Sequence, residues 1–144
     1  FTVYGPWGRP DMSPYLFTKS ILEGKEINVF NNGDMRRDFT FVDDVVEGII
    51  GALGKNLNAG DNSSLHKIYN LGNNKPVKLM DYIQIIEKTC CKKANLKLLP
   101  MQPGDVFETY ADIEISKEEL GFVPKTDLNE GIRRFVEWFQ KYHK

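Results

Sequence analysis

Three short stretches of this sequence hold the residues whose chemistry could serve a ligand. The first, Thr2-Val3-Tyr4-Gly5-Pro6-Trp7-Gly8-Arg9-Pro10-Asp11-Met12, sets two glycines and two prolines among aromatic residues. That composition specifies a rigid loop with close backbone approach. Arg9 within it can present a bidentate fork to a carboxylate or a phosphate, or it can be a solvated arginine on a structural turn. The second stretch is Met35-Arg36-Arg37-Asp38-Phe39-Thr40-Phe41-Val42-Asp43-Asp44. Adjacent arginines entering a strand point to opposite faces, so one can hold a diphosphate while the other reaches solvent or Asp38. Plain exposed charge is the alternative. The third is the turn Met101-Gln102-Pro103-Gly104-Asp105, where Asp105 can accept a ribose hydroxyl or simply shape the turn.

Other reactive types are scattered. His66 and His143 are isolated histidines, one in a loop and one near the end of the chain. Cys90 and Cys91 are adjacent, which disfavours a disulfide between them and lacks the spaced pairs of a zinc site; reduced thiols are expected. Asp43-Asp44 reads as a helix cap rather than a paired acid and base. Phe135 and Phe139, near Trp138, read as core or interface.

The elements that must position these groups follow from periodicity. Ser13-Pro14 predicts a helix start with a hydroxyl cap and proline in the first turn. Leu16, Phe17, Ile21 and Leu22 give that helix an apolar side, and Gly24 closes it. Residues 26–30 predict a strand ending in the turn Asn31-Asn32-Gly33-Asp34, and residues 38–42 another extended run. Val45, Val46, Ile49, Ile50 and Leu53 carry helical spacing, with Asp43-Asp44 as the cap at the positive end of the dipole. Residues 54–66 read as an exposed loop and residues 67–71 as a strand stopping at Gly72-Asn73-Asn74. Residues 78–92 form an amphipathic helix with Leu79, Tyr82, Ile83, Ile86 and Cys90 on one face, and residues 95–101 a further strand. A last helix starts at Asp127, with Glu130 as its capping-box partner and Leu128, Ile132, Phe135, Val136 and Phe139 as its buried stripe.

Helices and strands are thus mixed, but the strands are too few for an open α/β sheet. The expected fold class is α/β, a piece docked on a sheet that this chain does not supply. At 144 residues, 41% hydrophobic and 12% aromatic, the chain is long enough for one core. A formal net charge of −1 gives no electrostatic footprint for nucleic acid or an anionic membrane. No apolar run approaches the roughly 20 residues of a membrane span. The opening Phe1-Thr2-Val3-Tyr4, with neither methionine nor polar lead-in, reads as a cut through a longer protein.

In this order and spacing, the three stretches resemble the C-terminal half of the extended short-chain dehydrogenase/reductase family, and within it the UDP-glucuronate 4-epimerases. Val29-Phe30-Asn31-Asn32-Gly33 running into Arg36-Arg37-Asp38-Phe39-Thr40 carries the same resemblance, as do Tyr69-Asn70-Leu71-Gly72 and Thr109-Tyr110-Ala111-Asp112. It covers essentially the whole chain. It implies that residues 1–144 are the mixed α/β substrate-binding C-terminal portion of an extended Rossmann-type epimerase whose N-terminal Rossmann half is absent. It further implies that Thr2 and Arg9 contact a sugar carboxylate and that Arg37 binds the diphosphate. Asn28 and Phe30 would meet the uracil edge through main-chain groups, with Gln102 and Asp105 beside the ribose and diphosphate. Many other nucleotide-sugar epimerases carry a phosphate-binding arginine at Met101 or Gln102, and that departure weakens the case for a second one here.

The chemistry implied is an NAD-dependent isomerisation of UDP-glucuronate and UDP-galacturonate through a 4-keto intermediate, in a cytoplasmic homodimer. NAD would be held upstream, since Gly5-Pro6-Trp7-Gly8 and Gly48-x-x-Gly51 lack the dinucleotide spacing. The catalytic Tyr-x-x-x-Lys pair of the family also lies upstream of the Tyr-Gly-Pro loop. Tyr15-Leu16-Phe17-Thr18-Lys19 is therefore a chance match, no catalytic residue is expected in this chain, and the chain alone is expected to be inactive. Another sugar-nucleotide epimerase or dehydratase, and a non-catalytic binding protein of the same fold, are the alternatives.

Overall fold

The computed structural model describes residues 1–54 and 67–143. The six strands pair only two by two. β1 (Thr2–Tyr4) runs parallel to β4 (Phe39–Phe41), and β2 (Glu26–Val29) runs parallel to β6 (Asn95–Leu98). β3 (Arg36–Arg37) lies antiparallel to β5 (Val77–Lys78). The helices are α1 (Ser13–Glu23), α2 (Val42–Leu53), α3 (Leu79–Cys90), α4 (Glu114–Leu120) and α5 (Leu128–Tyr142).

Local chemistry explains most of the boundaries. Gly24 closes α1 in the left-handed region at φ 69°, donating its N–H to Ile21 and Ser20 carbonyls. At its other end Met12, not Ser13, is the capping residue, and Ser13 is already helical. β2 stops at Val29 because Phe30–Gly33 winds into a 3₁₀ turn, with Asn31 and Asn32 left-handed at φ 48° and 50°. Asparagine tolerates that conformation better than most side chains. Asp127 caps α5 by accepting the Asn129 N–H at 2.9 Å, whereas Glu130 turns to Arg133 instead of closing a capping box.

Two further expectations are corrected. Residues 67–71 form no strand; the Asn70 side chain donates to the Asp112 carbonyl and the Asn70 carbonyl accepts from Ser116, so side chains serve this segment in place of a ladder. Asp43 and Asp44 do not cap α2, whose capping residue is Phe41. The buried Asp44 carboxylate instead accepts the N–H groups of Lys125 and Thr126, at 3.2 and 3.1 Å. β5 and α4 had no counterpart in the periodicity, being too short to show one. The loop expected at 54–66, with His66, lies outside the described residues except for Gly54.

The main core joins α1, α3, α5 and the strand pairs through Ile21, Val29, Phe41, Tyr82, Ile86, Ile132 and Phe135, each buried. Burial in α3 falls on the expected face of Leu79, Tyr82, Ile83, Ile86 and Cys90. In α2 the helix turns Asp44 and Gly48 inward, and Ile49, Ile50 and Leu53 are left 48%, 62% and 82% exposed. Gly48 permits this: an added Cβ would come within 2.6 Å of Leu71 and 2.9 Å of Phe122. That apolar face has no cover among the described residues.

Candidate functional site

A cleft of about 610 Å³ opens between α1, the ends of β2 and β3, and the turn after β6. Asn28, Phe30, Arg37, Gln102 and Asp105 all line it, so residues up to 77 positions apart in the chain converge on one cavity. Thr2 and Arg9 are not among its lining residues. Thr2 sits one strand away on β1, in register with the cavity residue Phe39. The Arg9 side chain is 75% exposed and grips Asp11, which does line the cavity.

Arg37 is held by its own surroundings. Its Nη2 donates to Asp105 Oδ1 at 2.7 Å, and its Nη1 donates to the carbonyls of Arg36 and Phe107 at 2.8 and 3.2 Å. The ion pair is mostly withdrawn from solvent, at 17% and 30% side-chain exposure, so its attraction is less screened than a surface pair. Asp105 is fixed in turn by the Val106 N–H at 2.9 Å and by the Gln102 carbonyl, which accepts the Asp105 N–H at 3.2 Å. Pro103 and Gly104 at φ +83° suit the two central positions of that turn. Arg36 points elsewhere, to Glu108 at 3.9 Å, so the two arginines do take opposite directions.

Asp38 anchors the segments behind Arg37. Its carboxylate is fully buried and accepts the N–H groups of Asn73 at 3.1 Å, Asn74 at 3.0 Å and Ala111 at 3.0 Å. Its own N–H donates to Thr109 Oγ1 at 3.0 Å. The sequence places Asp38 beside two arginines, which suggests an ion pair; backbone amides claim it instead. Nothing local announces this, because its partners lie 35 to 73 residues away.

The loop carrying Arg9 is braced at both ends. Gly8 donates to the Gly5 carbonyl at 3.1 Å and Met12 to the Arg9 carbonyl at 3.2 Å. Trp7, at φ +65°, lays its ring against Trp138 and Tyr142 of α5, with centroids 5.4 and 4.9 Å apart. Arg9 meets Asp11 side-on, Nε to Oδ1 at 3.1 Å and Nη2 to Oδ2 at 2.5 Å. That hydrogen bonding raises the Arg9 pKa and holds the Asp11 carboxyl below its usual range.

The other reactive groups lie apart from the cleft. Tyr15 faces α5, its hydroxyl 2.7 Å from His143 Nε2 and its ring edge-on against Phe139, and Lys19 lines a shallow hollow with Phe139 and Gln140. Cys90 is buried and Cys91 exposed, both as free thiols. Burial pushes the Cys90 thiol up to about 11 and raises the Tyr4 and Tyr82 hydroxyls well above the usual tyrosine range. No group of three or more metal-ligating side chains occurs among the described residues, and no helix there is long and apolar enough to cross a membrane. Among the described residues no glycine turn runs directly into a helix as a dinucleotide pyrophosphate cradle would. Gly5 closes on Val42, where an added Cβ would stand 2.6 Å away, and no helix opens until Ser13.

The family model of the NAD dependent epimerase/dehydratase family matches residues 1–72, half of the chain. This protein belongs to that family. Among curated relatives, the uncharacterized protein MJ1055 of Methanocaldococcus jannaschii is 53% identical over 139 residues, covering 96% of this chain and 40% of that protein. UDP-glucuronate 4-epimerase 5 of Arabidopsis thaliana is 44% identical over 153 residues, covering 99% of this chain and 35% of that protein. Among solved structures, UDP-glucuronic acid 4-epimerase from Bacillus cereus, in complex with UDP-glucuronic acid and NAD, superposes with a TM-score of 0.89 at 32% identity. That superposition covers 99% of this chain and 44% of the other. The chain thus spans less than half the length of each of these relatives, and its mixed α/β fold is that of the C-terminal part of extended Rossmann-type epimerases.

Proposed function

We propose that this chain is the nucleotide-sugar grip of an NAD-dependent 4-epimerase that interconverts UDP-glucuronate and UDP-galacturonate. The observation that carries the reading is the convergence of Asn28, Phe30, Arg37, Gln102 and Asp105 on one cleft. In this reading Arg37 holds the diphosphate, Asp105 and Gln102 flank the ribose, and the backbone at Asn28 and Phe30 meets the uracil edge. Thr2 and Arg9 meet the sugar carboxylate from the neighbouring strand and loop. NAD, when bound, supplies the hydride acceptor and donor; in this reading its site and the catalytic residues belong to an upstream half, and the described residues build no pyrophosphate cradle. The chain's own task is to fix the nucleotide while the sugar turns. A cytoplasmic homodimer is part of the same proposal.

A second reading, a sister enzyme acting on a neutral sugar, draws on one observation: the Arg9 fork is occupied by Asp11 and stands outside the cleft lining. The discriminating experiment joins this chain to an NAD-binding half and follows UDP-glucuronate by NMR, beside the chain alone with NAD. UDP-galacturonate from the joined protein only is the expected result. Turnover of UDP-glucose in place of UDP-glucuronate would establish the second reading, and product from the chain alone would refute the division of labour. Arg37→Ala is expected to raise the Michaelis constant roughly ten- to a hundredfold, the range for losing hydrogen bonds to a charged group. An unchanged constant would remove Arg37 from the diphosphate.

A further inference from the structure

We propose that Asp11 is a specificity-determining residue: its carboxylate occupies the guanidinium fork of Arg9, and a sugar carboxylate must take its place there. The inference rests on the proposed reading of Arg9 as the clamp of a UDP-glucuronate enzyme, and it names what that clamp competes with.

The geometry points to competition rather than to a structural ion pair. Arg9 meets Asp11 by its Nε and Nη2 edge, with both carboxylate oxygens engaged at 3.1 and 2.5 Å. This is the two-bond arrangement by which a guanidinium binds any carboxylate, so Asp11 presents to Arg9 the chemical group a glucuronate would present. The Nε–Nη2 edge cannot serve both, and a sugar carboxylate bound end-on at Nη1 and Nη2 instead would leave Asp11→Asn without effect. Asp11 is also the cleft-side member of the pair, since it lines the nucleotide cavity and Arg9 does not.

The loop holds this arrangement ready. Arg9 and Asp11 flank Pro10, whose ring fixes the backbone between them. The Met12 N–H to Arg9 carbonyl bond and the seating of Trp7 against Trp138 and Tyr142 brace the loop on either side. Both side chains are solvent-exposed, at 75% and 59%, so the bond between them is of the weak, exchangeable kind. A neutral sugar makes no claim on the fork and leaves the pair intact. Arg9 thus draws the acidic substrate in while Asp11 moderates the grip, which suits a sugar that has to turn between its two faces.

Dissociation constants for UDP-glucuronate and UDP-glucose, measured by calorimetry on the NAD-loaded protein joined to its NAD-binding half, test this. The set is the parent, Asp11→Asn, Arg9→Ala and the double variant. Asp11→Asn is expected to tighten UDP-glucuronate relative to UDP-glucose by roughly two- to fivefold, the range set by an exposed pair, and the gain should shrink in high salt. In the Arg9→Ala background the same substitution should leave the ratio unmoved. Asn at position 11 with no change in the ratio, while Arg9→Ala still weakens UDP-glucuronate selectively, overturns this inference and leaves the clamp standing. An equal shift with and without Arg9 also overturns it, because Asp11 would then act by charge alone. Equal weakening of both ligands by Arg9→Ala removes the clamp and the inference together.

Discussion

Asp38→Asn is nearly isosteric, yet it should destabilise the protein and disturb the neighbouring site. The native carboxylate offers acceptors only, one oxygen to the Asn73 N–H and the other to the N–H groups of Asn74 and Ala111. An amide keeps one oxygen. In its better orientation it retains the Asn74 and Ala111 bonds and turns its NH₂ group on the Asn73 N–H, donor against donor. The side chain is fully buried, so no water restores the balance. An unsatisfied buried group costs about 1–3 kcal/mol, and the two retained bonds lose their charge assistance, so a total of about 2–4 kcal/mol is expected. Urea denaturation followed by circular dichroism measures this directly. Because Asp38 follows directly on the Arg37 strand, loosening its carboxylate anchor should weaken nucleotide binding as well as stability. A stability change under about 0.5 kcal/mol would show that the three amide bonds do not carry the anchor assigned to them.

Four further outcomes follow from one or two positions each. Gly131→Ala should destabilise by about 1–2 kcal/mol although alanine is the better helix former, because its Cβ would stand 2.1 Å from the Tyr4 hydroxyl and 2.9 Å from Phe41; a higher melting temperature would refute that crowding. Cys91→Gly should add about 1 kcal/mol, since Cys91 closes α3 in the left-handed region at φ 52°, and denaturation reads the sign. With its thiol pushed up to about 11, buried Cys90 should resist iodoacetamide at pH 8 while exposed Cys91 reacts, so mass spectrometry should find one alkyl group natively and two after denaturation. Asp127→Ala should cost about 1 kcal/mol at neutral pH. The folded-state pKa of Asp127 is depressed by its bonds to Asn129, so that contribution is present above the unfolded carboxyl pKa of about 4 and lost as pH falls through the folded value. The loss from Asp127→Ala should accordingly shrink as the pH is lowered below the unfolded carboxyl pKa of about 4; an undiminished loss would exclude the charged cap.

Much of the architecture was legible because it is written locally. The α3 and α5 faces, the Gly24 stop and the Asp127 cap each depend on residues within a few positions of one another. Apart from the Glu130 capping box, lost to Arg133 three positions on, what failed to read were mainly features decided by distant partners. The Ser13 cap and the Asp43-Asp44 cap both followed a sound local pattern. Asp44, however, satisfies more by holding the amides of Lys125 and Thr126 across the fold than by capping its own helix. Residues 67–71 carry strand-like composition, yet Asn70 bonds to the distant Asp112 carbonyl and Ser116 hydroxyl rather than to a neighbouring strand.

The candidate site divides along the same line. Sequence alone determined which groups are available: an arginine fork in a proline-bounded loop, an arginine at a strand, and a Pro-Gly turn with an aspartate. It also determined the family, since motif order and spacing survive independently of contacts. Only the tertiary structure decided that Arg37 and Asp105 face one another across 68 positions at 2.7 Å, that Asp38 serves backbone amides rather than an arginine, and that Asp11 but not Arg9 lines the cleft. The physical reason is range. Helix periodicity, caps and turns are set by neighbours in sequence, whereas a charge in a folded protein is satisfied by whichever partner the packed core brings within about 3 Å.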